Sequence, residues 1–234
     1  MAAGRCAMMR IVLVVLIVVV AAPVGAATSK LSADGNARLF LPDVVGPVRP
    51  PLLVMLHGRG SRREHMDAVA PTAVEAGFVV VTINAPIPLG PGKFQWPPGA
   101  DIEAVLKRIS TYLSGFPETA SERQWYVAGF SQGAWYAVLL AMAHPETVRG
   151  VLSMSAVMMA DMPRLSAPKQ IPLVLWAGYQ DRYAERAAEF FADLWRRAGS
   201  PVKLERFDGG HTLPQDWRLR LPVALQFLRN PEQR

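Results

Sequence analysis

Residues 52–56 are five consecutive apolar positions, Leu-Leu-Val-Met-Leu, that stop at His57-Gly58-Arg59-Gly60. A strand with one wet face alternates apolar and polar residues. An unbroken apolar run bounded by glycine is the pattern of a strand buried on both faces, as in a parallel sheet covered by helices. The form returns at residues 78–86 (FVVVTINAP), 125–129, 148–156 (VRGVLSMSA) and 171–178 (IPLVLWAG). Helical spacing fills the intervals at residues 63–76, 101–113, 132–143 and 184–197; Ile102, Val105, Leu106 and Ile109, for example, share one face. VKLERF (202–207) reads as a further strand, and residues 221–228 close the chain as a helix. Strands alternating with helices at these intervals predict one α/β domain, a mainly parallel central sheet with helices on both faces.

Three segments read differently. ARLFLPDVV (37–45) is expected as an edge strand interrupted by Pro42, after a loose entry segment. PIPLGPGKFQWPPG (86–99) is too rich in proline and glycine for regular structure and is expected as a surface loop. MMADMPRLSAPKQ (158–170) is an irregular link too short for a separate cap domain, so little or no cap is expected.

The first 27 residues follow a different order: Arg5 and Arg10, then the apolar run 11–22, then small residues around Ala26 and Ala27. That is the order of a secretory signal peptide. At about twelve residues the apolar run is shorter than the roughly twenty that span a bilayer. Cleavage after Ala26 or Ala27 is expected, with the mature domain at residues 28–234 and a secreted or periplasmic location; retention as an anchor is the alternative. The single cysteine, Cys6, would leave with this segment, which excludes disulfides and thiol catalysis from the mature chain. The net charge of +6 comes from scattered pairs such as Arg62/Arg63, Arg196/Arg197 and Arg218/Arg220. These form no aromatic-interleaved basic patch, so no nucleic-acid partner is expected. A homodimer is left open.

The chemistry centres on Gly129-Phe130-Ser131-Gln132-Gly133. A serine between glycines two positions away on either side, at a strand-to-helix junction, fits a sharp turn that exposes the hydroxyl. An N-cap role would explain the serine but not both glycines. A serine nucleophile needs a base, the base an orienting acid, and the oxyanion backbone donors. Asp181 follows the strand 171–178, at the carboxyl end where open parallel sheets place their chemistry, and could also cap the next helix. Asp208 and Glu205 compete but precede the histidine too closely to reach it easily. His211, after Gly209-Gly210, is the base that gives the chain order serine, acid, histidine. His57 is expected to brace its turn by hydrogen bonding, and His65 and His144 to lie on helices without a catalytic part. The oxyanion donors are expected to be the backbone N–H groups of Gln132 and of Arg59, with Gly58 as the alternative to Arg59. Histidines scattered at 57, 65, 144 and 211 show no metal-ligand spacing, and no lysine-bearing phosphate loop is present, so no metal and no cofactor are expected.

On these residues the chain resembles the α/β-hydrolase superfamily and, within it, the phospholipase/carboxylesterase group of small serine esterases. The resemblance runs from about Leu52 to Phe227 and is carried by His57-Gly58-x-Gly60, GFSQG around Ser131, Asp181, and Asp208-Gly209-Gly210-His211. It implies a Ser131–His211–Asp181 triad and hydrolysis of short-chain carboxylic esters, or of lysophospholipids or acyl thioesters. A peptidase or amidase would use the same apparatus, and a non-catalytic binding protein on the same fold would show a broken triad. Two departures stand out. Arg59 replaces the usual apolar residue and could gate the pocket or attract a carboxylate-bearing substrate. Trp135 and Tyr136 are bulkier than usual and are expected as core. Phe94, Gln95, Trp96 and Pro97, with Met158, Met159 and Met162, form the candidate apolar substrate wall, or merely cover the sheet edge. With so little lid, a shallow site for small acyl groups is expected.

Overall fold

The computed structural model describes residues 28–43, 49–158 and 164–232. The expected signal segment, Met159 and Met162 lie outside the described residues. In chain order the elements are β1 (Thr28–Leu31), β2 (Ala37–Leu41), β3 (Leu52–Leu56), α1 (Glu64–Asp67), α2 (Ala70–Glu75) and β4 (Val79–Ile83). Then come β5 (Ile87–Gly90), β6 (Lys93–Gln95), α3 (Ile102–Gly115), β7 (Trp125–Phe130) and α4 (Gln132–Ala143). The chain finishes with β8 (Val148–Met154), β9 (Leu173–Gly178), α5 (Arg182–Arg197), β10 (Val202–Phe207) and α6 (Trp217–Arg229).

Eight strands form one sheet in the order β1-β2-β4-β3-β7-β8-β9-β10. From β4 to β10 every pairing is parallel, while β1–β2 and β2–β4 are antiparallel. The apolar runs are explained by what covers each face. Leu52, Val54 and Leu56 of β3 pack into one core with α3, α4 and α5, and Leu53 and Met55 pack into the other with α2 and α6. With both faces dry, each strand must be apolar throughout. Helix α4 is apolar on every side because Gln132 to Met142 are all buried. This is the α/β-hydrolase architecture with a minimal cap.

Four expectations need correction. The loose entry segment contains β1, an exposed outer strand, so β2 is not the edge; β1 carries no buried face to leave an apolar signature. Residues 63–76 form two short helices, since Pro71 at the start of α2 has no N–H to continue the first. The last helix begins at Trp217 and accommodates Pro222 within it. Most relevant to the site, residues 87–95 form an antiparallel hairpin. It tolerates Pro88 because the two strands are irregular in register between Pro88 and Gly90 and stand apart from the main sheet.

The strand β7 can meet α4 and the end of β3 only without side chains. A Cβ on Gly129 would lie 2.2 Å from the Gly133 oxygen, and one on Gly133 2.3 Å from the Leu56 oxygen. Gly133→Ala should therefore cost about 1–3 kcal/mol through backbone displacement. Gly115→Ala, where the added Cβ meets nothing within 4 Å, should stay within about 0.5 kcal/mol of the parent. Urea denaturation midpoints would check the contrast.

Candidate active site

Ser131 stands between β7 and α4 with φ 54° and ψ −118°, a left-handed backbone rarely adopted by residues with a side chain. Such a conformation costs of order 1–3 kcal/mol and persists only where its surroundings over-determine it. Here the Ser131 N–H donates to the Met154 carbonyl at 2.9 Å, and the Ser131 carbonyl accepts from Trp135 N–H at 3.0 Å. Although Ser131 occupies the N-cap position of α4, its side chain makes no capping bond. Its Oγ lies 2.8 Å from His211 Nε2.

His211 follows β10 on a loop drawn tightly over the sheet. A Cβ on Gly178, at the end of β9, would lie 2.3 Å from the Gly209 oxygen, so only glycine admits that approach. The loop is pinned by Gln180 N–H donating to Gly209 O at 2.9 Å and by Tyr179 N–H donating to Phe207 O at 3.0 Å. His211 Nδ1 lies 2.5 Å from Asp181 Oδ2, while Asp181 Oδ1 accepts from Ala184 N–H at 3.1 Å. The buried carboxylate thus caps α5 with one oxygen and orients the imidazole with the other. The imidazole itself stays 41 % exposed, open to an incoming substrate, with the Phe130 ring 5.2 Å from its own. The competing carboxylates are engaged elsewhere. Asp208 Oδ1 accepts from Gln180 at 3.0 Å, and Glu205 Oε2 from Trp176 Nε1 at 2.8 Å.

The loop after β3 passes directly over the serine: a Cβ on Gly58 would sit 3.1 Å from Ser131 Cβ. Among the described residues, the backbone N–H groups of Arg59 and Gln132 donate to no backbone acceptor. His57 braces this loop, as expected. Its Nε2 accepts from Ala85 N–H at 2.9 Å, which leaves Nδ1–H to donate to the Gly58 carbonyl at 2.7 Å. Full burial lowers the pKa of His57 from 6.5 to about 4, so the ring is neutral. His65 contacts Ser61 Oγ at 2.7 Å and His144 contacts Glu103 at 2.8 Å; neither enters the site.

The substrate-wall residues divide. Trp96 is fully buried, its indole N–H donating to the His57 carbonyl at 2.7 Å and its ring stacked obliquely beside His57. It supports the loop from beneath rather than facing substrate. Phe94 is half-buried against the core. Met158 is exposed just beyond β8. Trp135 and Tyr136 are core, and the Tyr136 hydroxyl also donates to the Pro97 carbonyl at 2.5 Å.

Sequence reasoning passed over two supports. The buried Gln132 side chain clamps the Trp96 backbone, its Oε1 accepting from Trp96 N–H at 3.0 Å and its Nε2 donating to Trp96 O at 3.2 Å. Ser155 is buried after β8 with φ 50°, and its hydroxyl donates at 3.1 Å to the carbonyl of Thr212, next to His211. A polar residue at the carboxyl end of the strand beside the nucleophile was the signal available.

Strand order and the sharp turn at Ser131 define an α/β-hydrolase fold, with the Ser131–His211–Asp181 hydrogen-bonded chain at the carboxyl ends of its strands. The chain belongs to the family described as Serine hydrolase (FSH1), whose model matches residues 53–220. It is similar in fold to the carboxylesterase of Mesorhizobium loti, with 19% identity over 85% of this chain and 98% of that one, at a TM-score of 0.68. The carboxylesterase of Bacillus cereus gives 17% identity, 76% and 89% coverage and 0.62. The fluorophosphonate-binding serine hydrolase F of Staphylococcus aureus gives 18%, 88% and 100%, and 0.61. No curated protein matches the chain. Among the described residues no helix is long and apolar enough to cross a membrane.

The neutral His57 makes stability depend on pH. The unfolded chain binds a proton near 6.5 that the folded protein refuses until about 4. Its contribution, up to about 3 kcal/mol, is therefore full above pH 6.5 and lost as pH falls toward 4. Denaturation midpoints measured from pH 7.5 to pH 5 should fall more steeply for the parent than for His57→Gln.

Proposed function

We propose that this serine hydrolase cleaves carboxylic esters with small acyl groups through a Ser131–His211–Asp181 triad. His211 takes the Ser131 proton as Oγ attacks the ester carbonyl, and Asp181 holds the imidazole in the required tautomer. The N–H groups of Arg59 and Gln132 stabilise the oxyanion. His211 then protonates the leaving alcohol, and water repeats the cycle on the acyl-enzyme. The observation that carries this reading is the continuous hydrogen-bonded chain from Ser131 Oγ through both imidazole nitrogens to Asp181. The preference for small acyl groups is supported by the minimal cap and by the burial of Trp96, which takes that ring out of the wall beside the serine.

The order of residues 1–27 supports export, with the mature chain beginning at Ala27 or Thr28. Amino-terminal sequencing of protein recovered outside the cytoplasm would read one of those residues; an intact amino terminus overturns this part.

Hydrolysis of p-nitrophenyl esters from acetate to palmitate should peak at the short end. Ser131→Ala should abolish it and abolish labelling by a fluorophosphonate, and Asp181→Asn should lower kcat by about 10³–10⁴-fold with the fold intact. A peak at long chains would replace the small-ester reading with a lipid or acyl-thioester one. Well-folded protein inactive on every ester and unlabelled at Ser131 would overturn it.

A further inference from the structure

Arg59 brings more to the oxyanion loop than its backbone N–H. Its side chain is exposed, and its Nε donates to Gln95 Oε1 at 2.9 Å. With Nε occupied, the two terminal amino groups remain as a forked donor of the kind that pairs with a carboxylate. The tether is rigid because both neighbours of Gln95 are tied to the site. Phe94 exchanges backbone bonds with the loop, Gly60 N–H to Phe94 O at 2.8 Å and Phe94 N–H to Ser61 O at 2.9 Å, and Trp96 is clamped by Gln132. The same rim is basic. Arg62 lies over the hairpin turn, within 3.2 Å of where a Gly92 Cβ would be, and Lys93 is exposed beside it. An acidic residue, Glu64, stands 3.6 Å from Arg62.

Topology then says which half of a substrate meets this rim. Strand β7, which carries Ser131, lies between β3 and β8. Arg59 follows β3 on one side, and His211 follows β10 on the other. The leaving oxygen must face His211 to be protonated, so the acyl group extends the opposite way, toward Arg59 and the hairpin.

We propose that the preferred acyl group ends in a carboxylate bound by Arg59, so that the substrates are half-esters of short dicarboxylic acids such as succinate or glutarate. The inference rests on the esterase reading above. One residue would then hold both ends of the acyl group, the carbonyl oxygen on its backbone N–H and the carboxylate on its guanidinium. That favours a spacer comparable to the arginine side chain and disfavours malonyl esters. In the reaction Ser131 Oγ bonds to the carbonyl carbon, the bond to the alcohol oxygen breaks, and the alcohol leaves with the proton relayed by His211. Water then releases the free dicarboxylate.

The test compares monoethyl glutarate with ethyl valerate, its neutral counterpart, in a pH-stat, with p-nitrophenyl acetate hydrolysis and fluorophosphonate labelling alongside. The half-ester should lead by about tenfold or more in kcat/KM, mainly through KM, and added salt should shrink the lead. Arg59→Gln should erase the ratio, Arg59→Lys should keep part of it, and Arg59→Glu should invert it. Gln95→Leu should reduce the ratio without changing any charge. A ratio near one in the parent protein, with p-nitrophenyl acetate cleaved and Ser131 labelled, overturns this inference alone. An Arg59→Gln variant that slows both esters equally also overturns it. Hydrolysis of no ester at all overturns both readings.

Discussion

The close approach of three backbone segments at the end of β7 is the constraint on which the site depends. Gly129 and Gly133 bring the strand and helix on either side of Ser131 to within contact of each other, and Gly133 rests against the carbonyls of Leu56 and His57. That contact has three consequences. It forces Ser131 into a left-handed backbone conformation that lifts Oγ out of the turn. It starts α4 immediately beneath the serine, leaving the Gln132 N–H free of backbone acceptors among the described residues. And it sets the β3 loop directly over Ser131, where a Cβ on Gly58 would lie 3.1 Å from the serine Cβ. A side chain at either glycine would separate the elements whose juxtaposition makes the site.

Around that contact, single polar groups each join two parts of the site. Asp181 caps α5 and orients His211 with different oxygens. The side chain of Gln132 secures Trp96, which follows the hairpin, through both of its backbone groups. His57, neutral because burial disfavours its charged form, links the Ala85 N–H to the Gly58 carbonyl. Apart from the part-exposed Asp181–His211 contact, these bonds are buried, where an unpaired partner is costly, so the loops they join are held in one arrangement. In a hydrolase such rigidity matters, because donors that stabilise a developing charge must be aimed before it forms.

Much of this was legible in the chain. Apolar runs ending at glycine located the inner strands. The alternation of strand and helix implied the parallel sheet, and the order of serine, aspartate and histidine singled out Ser131, Asp181 and His211, three side chains that the fold brings into one hydrogen-bonded chain. What escaped had physical reasons. The outer strand β1 buries no face, so it has no hydrophobic signature. The hairpin β5–β6 was hidden because its prolines and glycines look like loop chemistry, yet an irregular two-stranded ribbon does not need every N–H that proline lacks. Trp96 was expected either in a substrate wall or covering the sheet edge, and a tryptophan among prolines gives no sign of which way its ring faces. Only the carbonyl of His57 and the ring beside it decide that it faces in.

The sequence by itself determined the sheet core, the place of the sharp turn at Ser131 and the chain order of Ser131, Asp181 and His211, because these follow from local patterns: unbroken apolar runs, paired glycines and strand-end loops. Only the tertiary structure decided how Arg59 is held, which wall residue is buried and what Ser155 supports. Each of those depends on contacts between segments far apart in the chain, such as Arg59 with Gln95 and Ser155 with Thr212. No local pattern encodes such a pairing, since it exists only once the sheet order has set those loops side by side.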